Sequence, residues 1–215
     1  MDAGLFGGTF NPIHNGHIRV ASHVKQQYNL SKIFFFPSAS PPHKTNTNLA
    51  PARDRYAMVE QSLAGMDGFY ASDIELSRTG PSYTIDTIHA FEKQYGPGVR
   101  FFLLMGSDAF FDTPSWKKYK SIYLAISIIV MPRGANGQSR AIASFLDEHI
   151  SKGYTWNKEK KQFTHDRLQP IYICHVPKID ISSTMIRNRV KKNISIKGLV
   201  PSPVEEIISK RNLYL

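Results

Sequence analysis

Two short stretches, near opposite ends of the chain, carry the residue types that phosphate chemistry needs. The first is LFGGTFNPIHNGH, residues 5–17: paired glycines close an apolar run, a proline follows, and two histidines sit three apart across Asn15 and Gly16. Without Cβ atoms, Gly7 and Gly8 let the backbone approach a phosphate or a base and take positive φ where a turn requires it. A helix starting just beyond them offers unsatisfied N–H groups and a partial positive charge. His14 and His17, at its start, could both face one anion. The second stretch is ISSTMIR, residues 181–187. Ser182 or Ser183 can cap the helix that follows, and its first-turn amides could receive a phosphate beside the hydroxyls. Arg187, one turn further on, suits a bidentate phosphate contact.

Each stretch alone has a plainer reading: a glycine turn with surface histidines, and a capped helix with an exposed arginine. The first is neither a G-x-G-x-x-G dinucleotide fingerprint nor a P-loop, since no G-K-[ST] follows. A zinc site would need a third and usually a fourth ligand. His43 could serve, but the cysteine and carboxylate pattern is missing, so no protein metal ligand is assigned.

Strands and helices alternate around these stretches. Leu5-Phe6 predicts a buried strand, and Ile18, Ala21, Val24 and Tyr28 recur at helical spacing over about 15–28. KIFFFP is a second strand, and SASPPHKTNTNLAP has loop chemistry. ARDRYAMVEQSLAG is a helix with Tyr56, Val59 and Leu63 on one face and Gly65 as its stop. FYASDIELSR predicts a strand leading to the polar RTGPSYT turn, where Thr84 could cap a helix carrying Ile85, Ile88, Phe91 and Tyr95. VRFFLLMGSD, LAISIIVMPR and PIYICHVP are strands, STMIRNRVKK and SPVEEIISKR helices, the last opened by Pro203. The strands are continuous apolar runs, which predicts an α/β, doubly wound (Rossmann-like) parallel sheet with helices on both faces. One domain is expected over 1–215, with an excursion at about 134–169 that includes a helix over 140–150.

The chain has 215 residues, 41% of them hydrophobic, and one cysteine, Cys174. No run of 18 apolar residues and no secretory signal is visible, so a soluble cytoplasmic protein is expected, monomer or homo-oligomer. The net charge of +10 favours nucleic acid, anionic membrane or small phosphorylated ligands. Much of it lies in residues 152–167 and 187–197; for the first run a solvated surface is the plainer reading.

GGTFNPIHNGH together with ISSTMIR resembles the nucleotidylyltransferase superfamily, whose signature is a Thr-Phe-x-Pro-x-His-x-Gly-His turn plus a C-terminal Ser-x-x-x-Arg helix. PSASPPHK, GPSYTIDTI, LLMGSDAF, PSWKKY, VMPR and LVPSPVEEIISKRNLY look like the bacterial nicotinate mononucleotide adenylyltransferases. That resemblance implies transfer of adenylate from ATP to nicotinate mononucleotide, giving nicotinate adenine dinucleotide and pyrophosphate in NAD synthesis. Direct attack, without a covalent enzyme intermediate, is implied, with magnesium bound mainly through the ATP phosphates. It also implies His14, His17 and Arg187 as the catalytic set. Gly7, Gly8, Thr9, Phe10, His17, Gly106, Asp108, Ser183, Thr184 and Arg187 would meet ATP, with Asp108 on the adenosine side. His43, Lys44, Ser82, Tyr83, Thr84, Ile85, Trp116 and Arg133 would meet the acceptor, with Trp116 stacked on its ring and amides near Thr84 and Ile85 on its carboxylate. From the residues alone, Asp108 is equally an N-cap, Trp116 a core aromatic and the Lys44 segment a surface loop. Asn11 departs from the Asp that many relatives carry. Rival readings are the same chemistry on nicotinamide mononucleotide or phosphopantetheine, and a basic nucleic-acid-binding module; for the latter no recognised binding motif is present.

Overall fold

Long apolar strands flanked on both faces organise the computed structural model, which describes residues 1–40, 49–132 and 138–215. Strands β1 (Asp2–Gly8), β2 (Lys32–Pro37), β3 (Phe69–Ala71), β4 (Arg100–Gly106) and β5 (Ser127–Met131) run parallel to one another. Strands β6 (Thr155–Asn157) and β7 (Gln162–Thr164) form an antiparallel hairpin, which joins the sheet antiparallel to β8 (Ile171–Ile173). β8 itself pairs parallel with β5, and the sheet order is β3-β2-β1-β4-β5-β8-β7-β6.

Side chains alternate between faces along a strand, and here both faces are covered. Ile33 and Phe35 of β2 enter one apolar cluster with Phe6, Leu104 and Ile129. Phe34 and Phe36 enter the other, with Leu5, Leu103 and Val130. Helices α1 (Asn15–Gln27), α2 (Ala52–Leu63), α7 (Ser183–Lys191) and α8 (Ser202–Lys210) close the first cluster through Val24, Met58, Ile186 and Val204. Helices α3 (Thr84–Tyr95), α4 (Ser107–Phe111), α5 (Tyr119–Ala125) and α6 (Gln138–Phe145) close the second through Phe91, Phe110, Ile122 and Ile142. An Arg211–Asp54 ion pair ties the end of α8 back to α2. The sheet order reverses between β1 and β4, and a crevice beyond their carboxyl ends is where such sheets bind ligands.

Several expectations are corrected. The strand over 69–78 stops at Ala71, because Ser72 Oγ takes the Ile74 amide and the Asp73 carbonyl takes those of Leu76 and Ser77, winding a turn. The strand expected at 124–133 begins at Ser127, since Leu124 and Ala125 finish α5. The helix expected at 140–150 starts at Gln138 and ends in a π turn over Leu146–Ile150, closed by the Ser151 amide on the Leu146 carbonyl. Only three residues of PIYICHVP form a strand, after which the Cys174 amide makes a last bond to the Val130 carbonyl. Tyr56 is not on the core face of α2: its hydroxyl reaches the Glu60 carboxylate, while Arg55, Met58 and Val59 are buried.

Candidate active site

The turn leaving β1 shows why its residue types are needed. Gly7 and Gly8 adopt no left-handed conformation, so of the two uses expected of them positive φ is not taken up. Their missing side chains serve packing instead: a Cβ on Gly7 would sit 2.5 Å from the Phe36 ring, and one on Gly8 3.0 Å from the Phe10 ring. The left-handed residue is Phe10, with φ 46°, a conformation that costs a non-glycine residue about 1 kcal/mol or more. Packing holds it there, for the Phe10 ring is buried edge-on to Phe6 and to His17.

His14 is the N-cap of α1, and His17 follows in the first turn. Their rings stack with centroids 3.7 Å apart. The His14 amide donates to His17 Nδ1 at 3.3 Å, so in neutral His17 the proton sits on Nε2, the donor it can offer a phosphate oxygen. Gly16 between them is fixed by contact: a Cβ there would meet His14 Nδ1 at 2.9 Å and Ile179 Cγ2 at 3.2 Å. His14 is buried and its Nδ1 has no hydrogen-bond partner among the described residues. Burial holds its imidazole down to about 4 against an ordinary 6.5, so at neutral pH it is an uncharged ring supporting His17. Unfolding frees His14 to protonate, so its contribution to stability is complete above pH 6.5 and is lost as pH falls through the folded value. Chemical unfolding from pH 7 to 4 should show His14→Gln losing less stability than wild type, by up to on the order of 3 kcal/mol. Equal slopes would refute that linkage.

The far end of the chain closes on this turn. Ser182 caps α7, its Oγ accepting the Met185 amide at 3.2 Å. Ser183 Oγ donates to the Pro12 carbonyl at 2.8 Å. Arg187 donates from Nη1 to the Asn11 carbonyl at 2.8 Å and from Nη2 to Thr184 Oγ1 at 3.2 Å. The two stretches that stand out in the sequence therefore share one site. Asn11 Oδ1 accepts from the Ala50 amide at 3.0 Å and from the Tyr214 hydroxyl at 2.8 Å. A carboxylate would accept both bonds equally well.

Gly106 ends β4, adjacent in the sheet to β1, and a Cβ built on it meets nothing within 4 Å. That space lies beyond the sheet's carboxyl edge. Gly106, rather than Asp108, is the N-cap of α4; Asp108 is exposed in its first turn. In the turn before α3, Ser82 Oγ accepts the amides of Ala39 at 3.0 Å and Ser40 at 3.2 Å. Tyr83, not Thr84, is the N-cap of α3, its own side chain making no cap bond, so Thr84 and Ile85 begin that helix. Trp116 is half-buried with its indole N–H on Asp112 Oδ2 at 3.3 Å. The next residue, Lys117, reaches Asp86 at 3.1 Å and lies over the Tyr83 ring at 4.3 Å. Trp116 and the Tyr83 turn are thereby neighbours. His43, Lys44 and Arg133 lie outside the described residues.

One site-building residue was not foreseen. Arg55 is fully buried, and its guanidinium donates to the carbonyls of Ala50 at 3.0 Å, Thr9 at 2.7 Å and Ala39 at 3.5 Å. Burial lowers its pKa from 12.5. The available signal was its place on α2, three and four residues before Met58 and Val59, on the helix face that the core covers.

Comparison with known proteins agrees with this architecture. A cytidylyltransferase-like family model matches residues 5–189. Over its whole length the chain is 36% identical to a probable nicotinate-nucleotide adenylyltransferase of Geobacter sulfurreducens, covering 98% of that protein. It is also 36% identical to one of Desulfatibacillum aliphaticivorans, covering all of it. Among solved structures, the Plasmodium falciparum nicotinic acid mononucleotide adenylyltransferase complexed with NaAD superposes with a TM-score of 0.73 at 20% identity, over 99% of this chain and 97% of that one. With the β1 turn closed by the Ser183–Arg187 helix, and relatives matched from end to end, this chain belongs to the nicotinate-nucleotide adenylyltransferase family of cytidylyltransferase-like proteins.

Proposed function

We propose that this protein transfers the adenylyl group of ATP to the phosphate of nicotinate mononucleotide, releasing pyrophosphate and nicotinate adenine dinucleotide. The observation that carries the proposal is the closure of α7 onto the β1 turn, with Ser183 on Pro12 and Arg187 on Asn11 beside the His14–His17 stack. The names of the relatives, and the NaAD held by the Plasmodium protein, support the acceptor.

An ionised acceptor phosphate needs no enzyme nucleophile. Its oxygen attacks the α-phosphorus, the bond from that phosphorus to the α–β bridging oxygen breaks, and pyrophosphate leaves with the electron pair. Catalysis then consists of alignment and of stabilising charge on the phosphoryl oxygens. His17 Nε2–H meets the reacting and leaving phosphates, with His14 holding its ring. Ser183, Thr184 and Arg187 hold the β- and γ-phosphates, Gly7, Gly8, Thr9 and Phe10 shape the turn beneath them, and the space at Gly106 and Asp108 takes the adenosine. Ser82, Tyr83, Thr84, Ile85 and Trp116 take the acceptor, with His43, Lys44 and Arg133 closing over it.

Among the described residues no group of three or more His, Cys, Asp or Glu side chains could hold a metal ion. Magnesium carried on the ATP phosphates would neutralise charge there. The single cysteine, Cys174, is buried, and burial pushes its thiol up to about 12. No helix among the described residues is long and apolar enough to cross a membrane.

The test is pyrophosphate release with ATP and magnesium, comparing nicotinate mononucleotide, nicotinamide mononucleotide and 4′-phosphopantetheine. Strong preference for the first is expected; activity only with another would overturn the acceptor. In the same assay Trp116→Ala should raise the acceptor KM about 5- to 100-fold, the usual worth of one aromatic stack, with the ATP KM unchanged. An unaltered acceptor KM would remove the stacking role.

A further inference from the structure

Arg55 occupies a place that packing alone does not explain. It is 0% exposed and makes no close ion pair among the described residues; its donors are met by carbonyl oxygens, and the buried Glu75 carboxylate favours its charge from further away. Burying a guanidinium is costly unless each donor finds an acceptor, and the three acceptors come from three segments: Thr9 and Ala39 leave the β1–β2 ladder just past its last bond, from the Ser38 amide to the Gly8 carbonyl at 2.9 Å, and Ala50 leads into α2. Thr9 belongs to the turn beneath the nucleotide phosphates. Ala39 follows β2, and its amide is held by Ser82 of the acceptor turn at 3.0 Å. Ala50 precedes α2, and its amide is held by Asn11 Oδ1 at 3.0 Å.

We infer that Arg55 is a positioning residue for adenylyl transfer: one buried guanidinium braces the phosphate turn against the backbone that carries the acceptor turn, fixing the distance between the two substrates. The inference rests on the proposed reaction. In-line attack requires the acceptor oxygen and the α-phosphorus to be set within a narrow range, and misplacement by about 1 Å costs on the order of 100-fold. Arg55 touches neither substrate, so its effect must travel through Thr9 on one side and through Ala39 and Ser82 on the other.

Arg55→Lys keeps the charge, but its three donors sit on one nitrogen and cannot span the carbonyls that Nε, Nη1 and Nη2 reach separately. It should lower kcat about 100-fold and raise the KM of both ATP and nicotinate mononucleotide, with the melting temperature lowered but the chain folded. Arg55→Met should do the same more severely, and added guanidinium ion should restore part of its turnover. A merely structural residue would reduce the titrated fraction of active sites and leave both KM values unchanged; that result overturns the inference. If Arg55→Met does not fold, Arg55→Gln decides alongside Arg55→Lys. It keeps a neutral donor toward one carbonyl and loses the others, so it should raise both KM values with a smaller fall in melting temperature; unchanged KM values overturn the brace. Wild type that fails to use nicotinate mononucleotide would take down the proposed reaction and this inference together. Normal kinetics of Arg55→Lys beside an active wild type would take down this inference alone.

Discussion

His17→Ala should lower kcat by about 10²- to 10³-fold, the range seen when one donor is removed from a charge-stabilising site, while the ATP KM changes little. The expectation follows from where the ring is held. The His14 amide fixes Nδ1, the His14 ring covers one face, and the Phe10 and Phe6 rings pack edge-on. The imidazole is thus preorganised, and its Nε2–H needs no reorganisation as charge develops. An interaction realised mainly in the transition state appears in kcat rather than KM. The fold should survive, since the ring is only partly buried and the contacts it loses among the described residues, one backbone bond and three ring contacts, are each worth about 1 kcal/mol. Steady-state kinetics beside a thermal melt separate the two effects. Turnover within a few-fold of wild type, in a variant that melts normally, would remove His17 from the mechanism.

What the sequence made legible, and what it hid, divides along physical lines. β2 reads plainly as KIFFFP because Phe34 and Phe36 enter one cluster while Ile33 and Phe35 enter the other, leaving no polar interruption. The two phosphate-type stretches were legible because their residue types are wasteful anywhere else. Their meeting is a tertiary fact, expressed only in bonds such as Ser183 to Pro12. The β6–β7 hairpin was hidden because three-residue strands are too short to show a period, and Thr155, Trp156 and Asn157 are all exposed. Short helices were hidden for the same reason: α4 spans five residues and is entered from Gly106 without a side-chain cap. Arg55 was hidden because a charged residue on a helix is ordinarily read as solvent-facing. Its charge is tolerated in the core because three segments supply carbonyls and the buried Glu75 carboxylate favours it, and no pattern within α2 encodes those partners. The glycine turn gives the opposite lesson. Gly7 and Gly8 were expected for their backbone freedom, yet aromatic rings occupy the space that their side chains would take.

Arg187→Ala should be the other severe variant, and its kinetic signature should differ from that of His17→Ala. Nη1 donates to the Asn11 carbonyl and Nη2 to Thr184 Oγ1. Those two bonds fix the fork, so the charge that it presents costs little further ordering. Its phosphate contacts are made in the ground state as well as during transfer, so removing them should raise the ATP KM about 10- to 100-fold and lower kcat/KM for ATP by roughly 10³. The acceptor KM should hold. Arg187→Lys separates charge from geometry: lysine restores an ammonium but neither the paired donors nor the bond to Asn11, so only part of kcat/KM should return. Full recovery with lysine would mean that charge alone matters at this position. An ATP KM unchanged by either substitution would mean that Arg187 merely fastens α7 to the β1 turn. The Ser183 bond to Pro12 already does that, so Arg187→Ala would then cost stability and spare the chemistry.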